Sequence, residues 1–181
     1  MAYPEAYRRP AHRFMSRPPA SLRILGIDPG SIRCGWAVVV RSGSRLDRVA
    51  SGVIEAGRDD MAERLRKVYE GLRRAIAEFQ PQEVAIESIF HQLNAQSALK
   101  LGQARGVAIL AAAQDNLPVH EYEPRLVKLQ VAGTGAATKE QVRSMVCMQF
   151  GLAQTMVLDE SDALAVAICH ARRPPLPLAR P

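Results

Sequence analysis

The sequence has few cysteines and no long apolar segment, and each absence excludes a class of protein. Its three cysteines are odd in number, far apart and never in a Cys-x-x-Cys spacing. A disulfide framework and a structural zinc site are therefore not expected, and the pattern is typical of a reducing cytoplasm. No apolar run approaches the ~18 residues that a membrane span needs, and no secretory signal pattern opens the chain. We expect a cytoplasmic protein without a membrane anchor.

The body of the chain also lacks net charge, although the whole chain carries +6. The basic excess lies in residues 1–21 and 172–181, which are rich in arginine and proline. We predict that the first is a disordered basic extension and the second a disordered Pro-rich tail, on either side of one domain at 22–171. If metal ions neutralise acids of that domain, its remaining surface is basic and suits a polyanionic partner.

A short apolar segment ends in an acid, Asp28, and is followed directly by the turn signal Pro29-Gly30. A second apolar run at 34–40 and a third at 46–55 complete a pattern that predicts three antiparallel strands. An unpaired carboxylate at the end of a buried strand is costly. We therefore interpret Asp28 as a metal ligand at the edge of the sheet.

An amphipathic helix pattern from residue 59 to about Phe79 leads to another short apolar strand, residues 84–87, which also ends in an acid. A helical crossover between two strands usually makes them parallel. Asp28 and Glu87 should then finish at the same edge of the sheet, where α/β proteins commonly place their sites.

A second pair of acids, Asp159 and Asp162, lies three residues apart at the start of a last, very apolar helix. Both side chains share one helix face. Capping would explain Asp159 but not Asp162, which directly precedes a segment that must be buried. Four gathered carboxylates repel one another unless cations compensate, and oxygen donors without a Cys or His cluster favour Mg²⁺ or Mn²⁺.

Two such ions about 4 Å apart can activate a water and stabilise the leaving oxygen in phosphodiester hydrolysis. The sequence has no evident Ser-His-Asp or Cys-His arrangement, so a covalent enzyme intermediate is not expected. The four acids therefore predict a metal-dependent hydrolase that acts on a phosphodiester.

Two further stretches of the sequence each allow two interpretations. Phe90 follows Glu87 in a predicted loop, where it is either a core residue or a stacking platform for an unpaired base. The helix at 95–115 is rich in small residues, which indicates close packing on the sheet or against a second copy of the chain. Lys100 and Arg105 lie on this helix and could face outward.

A flexible Gly- and Ala-rich loop at 132–137 precedes Thr138-Lys-Glu-Gln141, which fits a helix capping box. The free N–H groups at that helix start would suit a phosphate. The start is flanked by three basic residues, Lys128, Lys139 and Arg143. A run of ordinary surface charge is the alternative reading.

Several motifs carry these residues: Gly26-Ile-Asp-Pro-Gly-Ser31, Ala85-Ile-Glu87, the block SALKLGQARGVAI at 97–109, and Asp159-x-x-Asp162-Ala-Leu-Ala165. Together they resemble the RuvC-type Holliday-junction resolvases, which are crossover junction endodeoxyribonucleases. The resemblance covers about residues 22–171, and its most specific part is the block at 97–109. The extensions on either side lie outside it.

The resemblance implies a ribonuclease-H-like α/β fold, with a mixed five-stranded sheet flanked by helices. It implies a homodimer that nicks two strands symmetrically across a four-way DNA junction in recombination and repair, together with the RuvA–RuvB branch-migration complex. The matching metal ligands, for two Mg²⁺ or Mn²⁺ ions per active site, are Asp28, Glu87, Asp159 and Asp162.

The resemblance also assigns DNA contacts to some of the other candidates. It places Phe90 at the centre of the junction and puts Lys128 and Lys139 at positions linked to DNA binding and cleavage. Lys100 and Arg105 lie inside the matched block, and we predict that they and Arg143 also contact DNA. Two alternatives stay open. A sugar-kinase or actin-like ATPase also uses an Asp-x-Gly turn, although no second phosphate loop is found. A non-catalytic junction-binding module would not need four acids.

Overall fold

The structure is a computed structural model and describes residues 21–88 and 95–173. Its strands are β1 (Leu22–Asp28), β2 (Arg33–Ser42), β3 (Arg45–Glu55), β4 (Glu83–Glu87) and β5 (Val119–Tyr122). Its helices are α1 (Met61–Phe79), α2 (Ala95–Ala113), α3 (Pro124–Ala132), α4 (Lys139–Phe150) and α5 (Leu158–Ala171). In these parts of the chain, no helix is long and apolar enough to cross a membrane.

The strands form one mixed sheet in the order β3-β2-β1-β4-β5. The first three strands make the predicted antiparallel meander, whereas β1, β4 and β5 run parallel to one another. The register pairs Ile27 with Ile86, so β1 and β4 end side by side. The predicted parallel crossover and the five-stranded mixed sheet are therefore confirmed.

The two faces of the sheet bury different sets of side chains because successive residues of a strand point to opposite faces. Leu25 and Ile27 of β1 pack with α1 and α2, in a core that also contains Val84 and Ile86 of β4. The other face, with Ile24, packs against α3, α4 and α5. Helices thus cover both faces of the sheet.

Helix α5 lies at the centre of the second layer, and every residue of it from Ala163 to Ala171 is buried. It approaches the sheet unusually closely because β1 and β2 present glycines to it. A Cβ atom added to Gly26 would lie 2.2 Å from the carbonyl oxygen of Ala163, and one added to Gly35 would lie 1.9 Å from that of Asp159. No side chain fits at either position unless the helix moves.

Helix α2 has one face on the sheet and another in solvent. Its alanines at 104, 108, 111 and 112 are buried, which agrees with the packing interpretation of the small residues. On the outer side Leu99 is 65% exposed and Leu110 is 53% exposed, and a Cβ added to Gly106 would meet no atom within 4 Å. This outer face is apolar and has no partner within the described chain.

Candidate active site

Asp28 and Glu87 end two neighbouring parallel strands, and both side chains point to the α5 face of the sheet. Asp28 has the same parity along β1 as the inward residue Ile24, and Glu87 has the same parity along β4 as Ala85. Both residues are partly buried. The alternation of the strands therefore sets these two carboxylates next to each other at one edge of the sheet.

Helix α5 adds the other two acids at the same edge. Its first turn packs on β2 at Gly35, and Gly35 is the residue paired with Asp28 across the strands. Asp159 and Asp162 therefore approach Asp28 from above the sheet. The N-cap residue is Val157 and makes no side-chain capping hydrogen bond, so the capping interpretation of Asp159 is wrong.

The acids are close enough to change one another's ionisation. Burial, followed by the charges of Glu87, Asp162 and Asp159, raises the pKa of Asp28 well above its usual range. Burial and the charge of Asp162 raise the pKa of Glu87 to about 7. Carboxyl groups that are hard to ionise next to one another favour a nearby positive charge.

Two basic side chains supply part of this positive charge. The Lys139 Nζ atom lies 2.6 Å from Oδ2 of Asp162, and Arg33 Nη1 lies 3.5 Å from Oδ2 of Asp159. Burial opposes the charge of Lys139, but its hydrogen bond to Asp162 and the charges of Asp28 and Glu87 raise its pKa overall. Asp162 is only 15% exposed but Lys139 is 60% exposed, so solvent screens this ion pair in part.

Lys139 is held there by the predicted capping box. The Thr138 hydroxyl accepts a hydrogen bond from the Gln141 N–H at 3.2 Å, and the Gln141 side chain accepts one from the Thr138 N–H at 2.8 Å. The prediction of this box is confirmed. It fixes the start of α4, and with it Lys139, the first residue of the helix.

A groove of about 730 Å³ opens beside the acids, between α3, α4 and α5. It is lined by the acids Glu87 and Asp162 and by the basic residues Arg125, Lys128 and Lys139. A phosphate chain lying in such a groove would have cationic side chains along it and carboxylates at one point of it. This arrangement suits hydrolysis of a phosphodiester, because it places charged groups where charge develops in the reaction.

The donor set fits hard divalent cations, since all four candidate ligands are carboxylates and burial, together with the neighbouring acids, raises the pKa of Asp28 and of Glu87. In the described residues, no three of these acids bring ligand atoms within 4.8 Å of one another. Two ions about 4 Å apart, with bonds of about 2.1 Å, would bridge carboxylates at that longer separation. Their role as metal ligands remains a prediction.

The other predicted DNA contacts lie in different surroundings. Lys100 is exposed on α2, and Arg143 is partly buried, with Nη1 3.4 Å from the carbonyl oxygen of Met156. The expectation that Arg105 faces outward is wrong. Its side chain is only 19% exposed and pairs with Glu121 of β5, because its position on α2 faces the sheet edge. Phe90 lies outside the described residues.

Sequence reasoning missed two basic residues of the site. Arg33 begins β2 and contacts Asp159, and Arg125 lines the groove from the first turn of α3. No spacing or motif distinguishes them from the other arginines of the chain. Only the packing of α5 on β2, and of α3 beside α4, brings them to the acids.

The mixed sheet, the helices on both faces and the acids at the shared strand edge define a metal-dependent nuclease of the ribonuclease-H-like class. The family profile described as crossover junction endodeoxyribonuclease RuvC matches residues 24–170. The chain therefore belongs to the RuvC family. This membership favours the nuclease interpretation over the sugar-kinase or actin-like ATPase.

Relatives and solved structures agree with this assignment. The RuvC of Methylococcus capsulatus is 51% identical over 148 residues, which is 82% of this chain and 89% of that protein. The RuvC of Teredinibacter turnerae is 52% identical over 153 residues, 82% of this chain and 86% of the other. The structure of Thermus thermophilus RuvC in complex with a Holliday junction substrate superimposes with a TM-score of 0.77 at 32% identity, covering 83% of this chain and 93% of that one.

Proposed function

We propose that this chain is a structure-selective endonuclease that resolves four-way DNA junctions by paired nicks, in recombination and repair. The observation that carries the proposal is the convergence of Asp28, Glu87, Asp159 and Asp162 on the edge of a groove lined with basic residues. The junction bound by the Thermus relative supports the choice of substrate. The raised pKa values of Asp28 and Glu87 support a role for bound cations.

Each group of residues has a separate task in this proposal. Lys128 and Arg125 bind the phosphate backbone along the groove and orient the scissile phosphate toward the acids. Lys139, paired with Asp162, holds that carboxylate in place and adds positive charge where negative charge develops on the phosphate. Arg33 hydrogen-bonds Glu55 and lies 3.5 Å from Asp159, where it adds positive charge beside that carboxylate.

The four carboxylates would hold two Mg²⁺ or Mn²⁺ ions. When bound, such ions lower the pKa of water and offset the charge that develops on the attacking and leaving oxygens. The acids would position the ions so that water attacks the phosphodiester directly, without a covalent enzyme intermediate. The number and identity of the ions form part of the proposal.

The proposal extends to the assembly and its setting. Paired nicks need two active sites, and the apolar outer face of α2, with Leu99 and Leu110, supports a homodimer through that helix. We propose that the nuclease domain at 22–171 acts in the cytoplasm, with the RuvA–RuvB complex as its partner. The extensions at 1–21 and 172–181 are proposed to lie outside the domain.

Asp28→Asn tests the proposed chemistry on a synthetic four-way junction. The variant keeps the shape of the side chain but removes a charge that the cations require, so nicking should fall by at least about 100-fold. Junction binding in a chelator should persist. The matched control is Asp47→Asn, which changes an acid of the β2–β3 hairpin that pairs with Arg45.

Nicking by Asp28→Asn at the normal rate would refute the metal-dependent site. A wild-type protein that binds the junction but never cuts it, at any Mg²⁺ or Mn²⁺ concentration, would favour the non-catalytic binding module instead.

A further inference from the structure

At the far end of helix α5 from the acids, two histidines and a glutamate meet on the same face of the sheet. Glu83 begins β4, His120 lies on β5, and His170 lies in the last turn of α5. Their ligand atoms all lie within 4.8 Å of one another. By the rise of a strand, Glu83 is about 13 Å from Glu87, and by the rise of a helix His170 is about 12 Å from Asp162.

We propose that Glu83, His120 and His170 form a second metal site, which takes a divalent transition-metal ion, with Zn²⁺ as the best fit. Two imidazole nitrogens and one carboxylate oxygen are a set of ligands that binds Zn²⁺ while leaving the fourth position to water. Mg²⁺ prefers oxygen ligands alone, so it should bind this cluster weakly. The two sites of the chain thus differ in the metals that they select.

The distances within the cluster suit this ion. Ligand atoms about 2.1 Å from a tetrahedral Zn²⁺ lie about 3.4 Å from one another. The Nε2 atom of His120 is 3.3 Å from Oε2 of Glu83, and Nε2 of His170 is 2.7 Å from the same oxygen. The second pair needs to open only slightly. Glu83 and His120 are 30% and 27% exposed, so both can adjust and an ion can enter from solvent.

The buried histidine already has the partner that a metal-binding histidine needs. Nδ1 of His170 lies 2.6 Å from the Tyr122 hydroxyl, and burial lowers the pKa of His170, so its imidazole is neutral at neutral pH. Without an ion, Nε2–H donates to Glu83 and Nδ1 accepts from Tyr122. With Nε2 on the metal, the proton sits on Nδ1 and is donated to the Tyr122 oxygen, which fixes the ring.

One neighbouring charge opposes the ion. Arg173 donates from Nη1 to the Tyr122 hydroxyl at 3.2 Å, and its guanidinium lies 5.1 Å from the centre of that ring. Removing this charge should strengthen binding of a cation to the cluster. An ion bound here would tie together β4, β5 and α5, and two of these elements carry Glu87 and Asp162 at their other ends.

The test is Zn²⁺ titration by calorimetry on the full chain after treatment with a chelator, with Co²⁺ absorption as a probe of tetrahedral coordination. The wild-type protein should bind one Zn²⁺ at the cluster and show visible Co²⁺ bands. His120→Ala should weaken Zn²⁺ binding by at least about tenfold and abolish those bands, and Glu83→Gln should act likewise. Zn²⁺ should raise the thermal unfolding temperature of the wild type but not of His120→Ala.

Two controls separate this site from its surroundings. Glu121 is next to His120 in the sequence, but its side chain is on the opposite face of the sheet and pairs with Arg105. Glu121→Gln should therefore leave Zn²⁺ binding unchanged. Asp28→Asn should also leave it unchanged, so that failure of the proposed nuclease site and failure of this site are distinguishable. Arg173→Gln should tighten it.

Three results would overturn the proposal: no saturable Zn²⁺ site in the wild type, equal affinity in His120→Ala, or loss of the Co²⁺ bands in Asp28→Asn. The last result would assign the ion to the acids. His170 itself is 6% exposed and is left intact, so that the test does not depend on a variant that fails to fold.

Discussion

Replacing Glu87 by glutamine should stabilise the metal-free protein at about pH 8 and have little effect below the ordinary pKa of glutamate. Folding raises the pKa of Glu87 from 4.5 to about 7, chiefly through burial and then through the charge of Asp162. Between these values the folded protein holds the proton more tightly than the unfolded chain. The stability that this group contributes is therefore full below pH 4.5 and is lost as the pH rises through about 7.

The size of the effect follows from that shift. Since one pKa unit corresponds to about 1.4 kcal/mol, ionised Glu87 destabilises the fold by at most about 3.5 kcal/mol at alkaline pH. Glutamine keeps the shape and removes the charge. It also removes the charge of Glu87, which is the second largest cause of the raised pKa of Asp28, so Asp28 ionises more easily.

Urea unfolding in a chelator, followed by fluorescence of the single tryptophan, Trp36, measures this difference. Glu87→Gln should unfold at higher urea than wild type at about pH 8, and the gap should close near pH 4.5. Saturating Mg²⁺ should stabilise wild type more than the variant, because the ion favours the ionised carboxylate. Glu78→Gln, on the exposed side of α1, is the control.

Two results would contradict this prediction: an equal stability gap between wild type and Glu87→Gln at both pH values, or a variant that is the less stable protein at alkaline pH. Either outcome would mean that the Glu87 carboxylate is not held against its neighbours in the folded protein.

Three further changes test other parts of the structure. Gly35→Ala places a methyl group where the carbonyl of Asp159 lies, so it should cost about 1–3 kcal/mol of stability in urea unfolding and reduce junction cleavage more than junction binding. Lys128→Ala should weaken binding of junction DNA and lower the slope of log affinity against log salt by about 1 in fluorescence anisotropy. Leu110→Asp should convert a dimer to a monomer in sedimentation, whereas the similarly exposed Leu129→Asp on α3 should not.

Each of these has a result that counts against it. Normal stability and cleavage in Gly35→Ala would show that α5 does not depend on the glycine. An unchanged salt slope in Lys128→Ala would return that lysine to an ordinary surface role. A wild-type protein that stays monomeric at working concentration, or a Leu110→Asp variant that still dimerises, would exclude the outer face of α2 as the interface.

The sequence predicted the strands and the crossover well because their signals are local. The apolar run that ends at Asp28, the turn after it and the helix up to Phe79 each depend on neighbouring residues, and the parallel pairing of β1 with β4 follows from the connection between them. The capping box at Thr138 is also contained in four residues.

Features that depend on distant packing could not be predicted. His120 and His170 are far apart in the sequence, and neither has a metal-binding spacing, so their meeting with Glu83 depends on α5 lying across the sheet. Arg105 lies on a helix whose period leaves its side chain equally compatible with an outer or an inner face. Only the position of β5, with Glu121, selects the inner one.

The burial of α5 from Ala163 to Ala171 has a consequence for how the candidate active site can vary. The helix that carries Asp162 has no solvent-facing side over those residues, so its amide hydrogens can exchange with solvent only when the core itself opens. A substitution there that shifts the acid must also disturb the packing of the sheet. Substitutions that alter the site without disturbing the hydrophobic core are therefore expected in the groove, at residues such as Lys128 and Lys139.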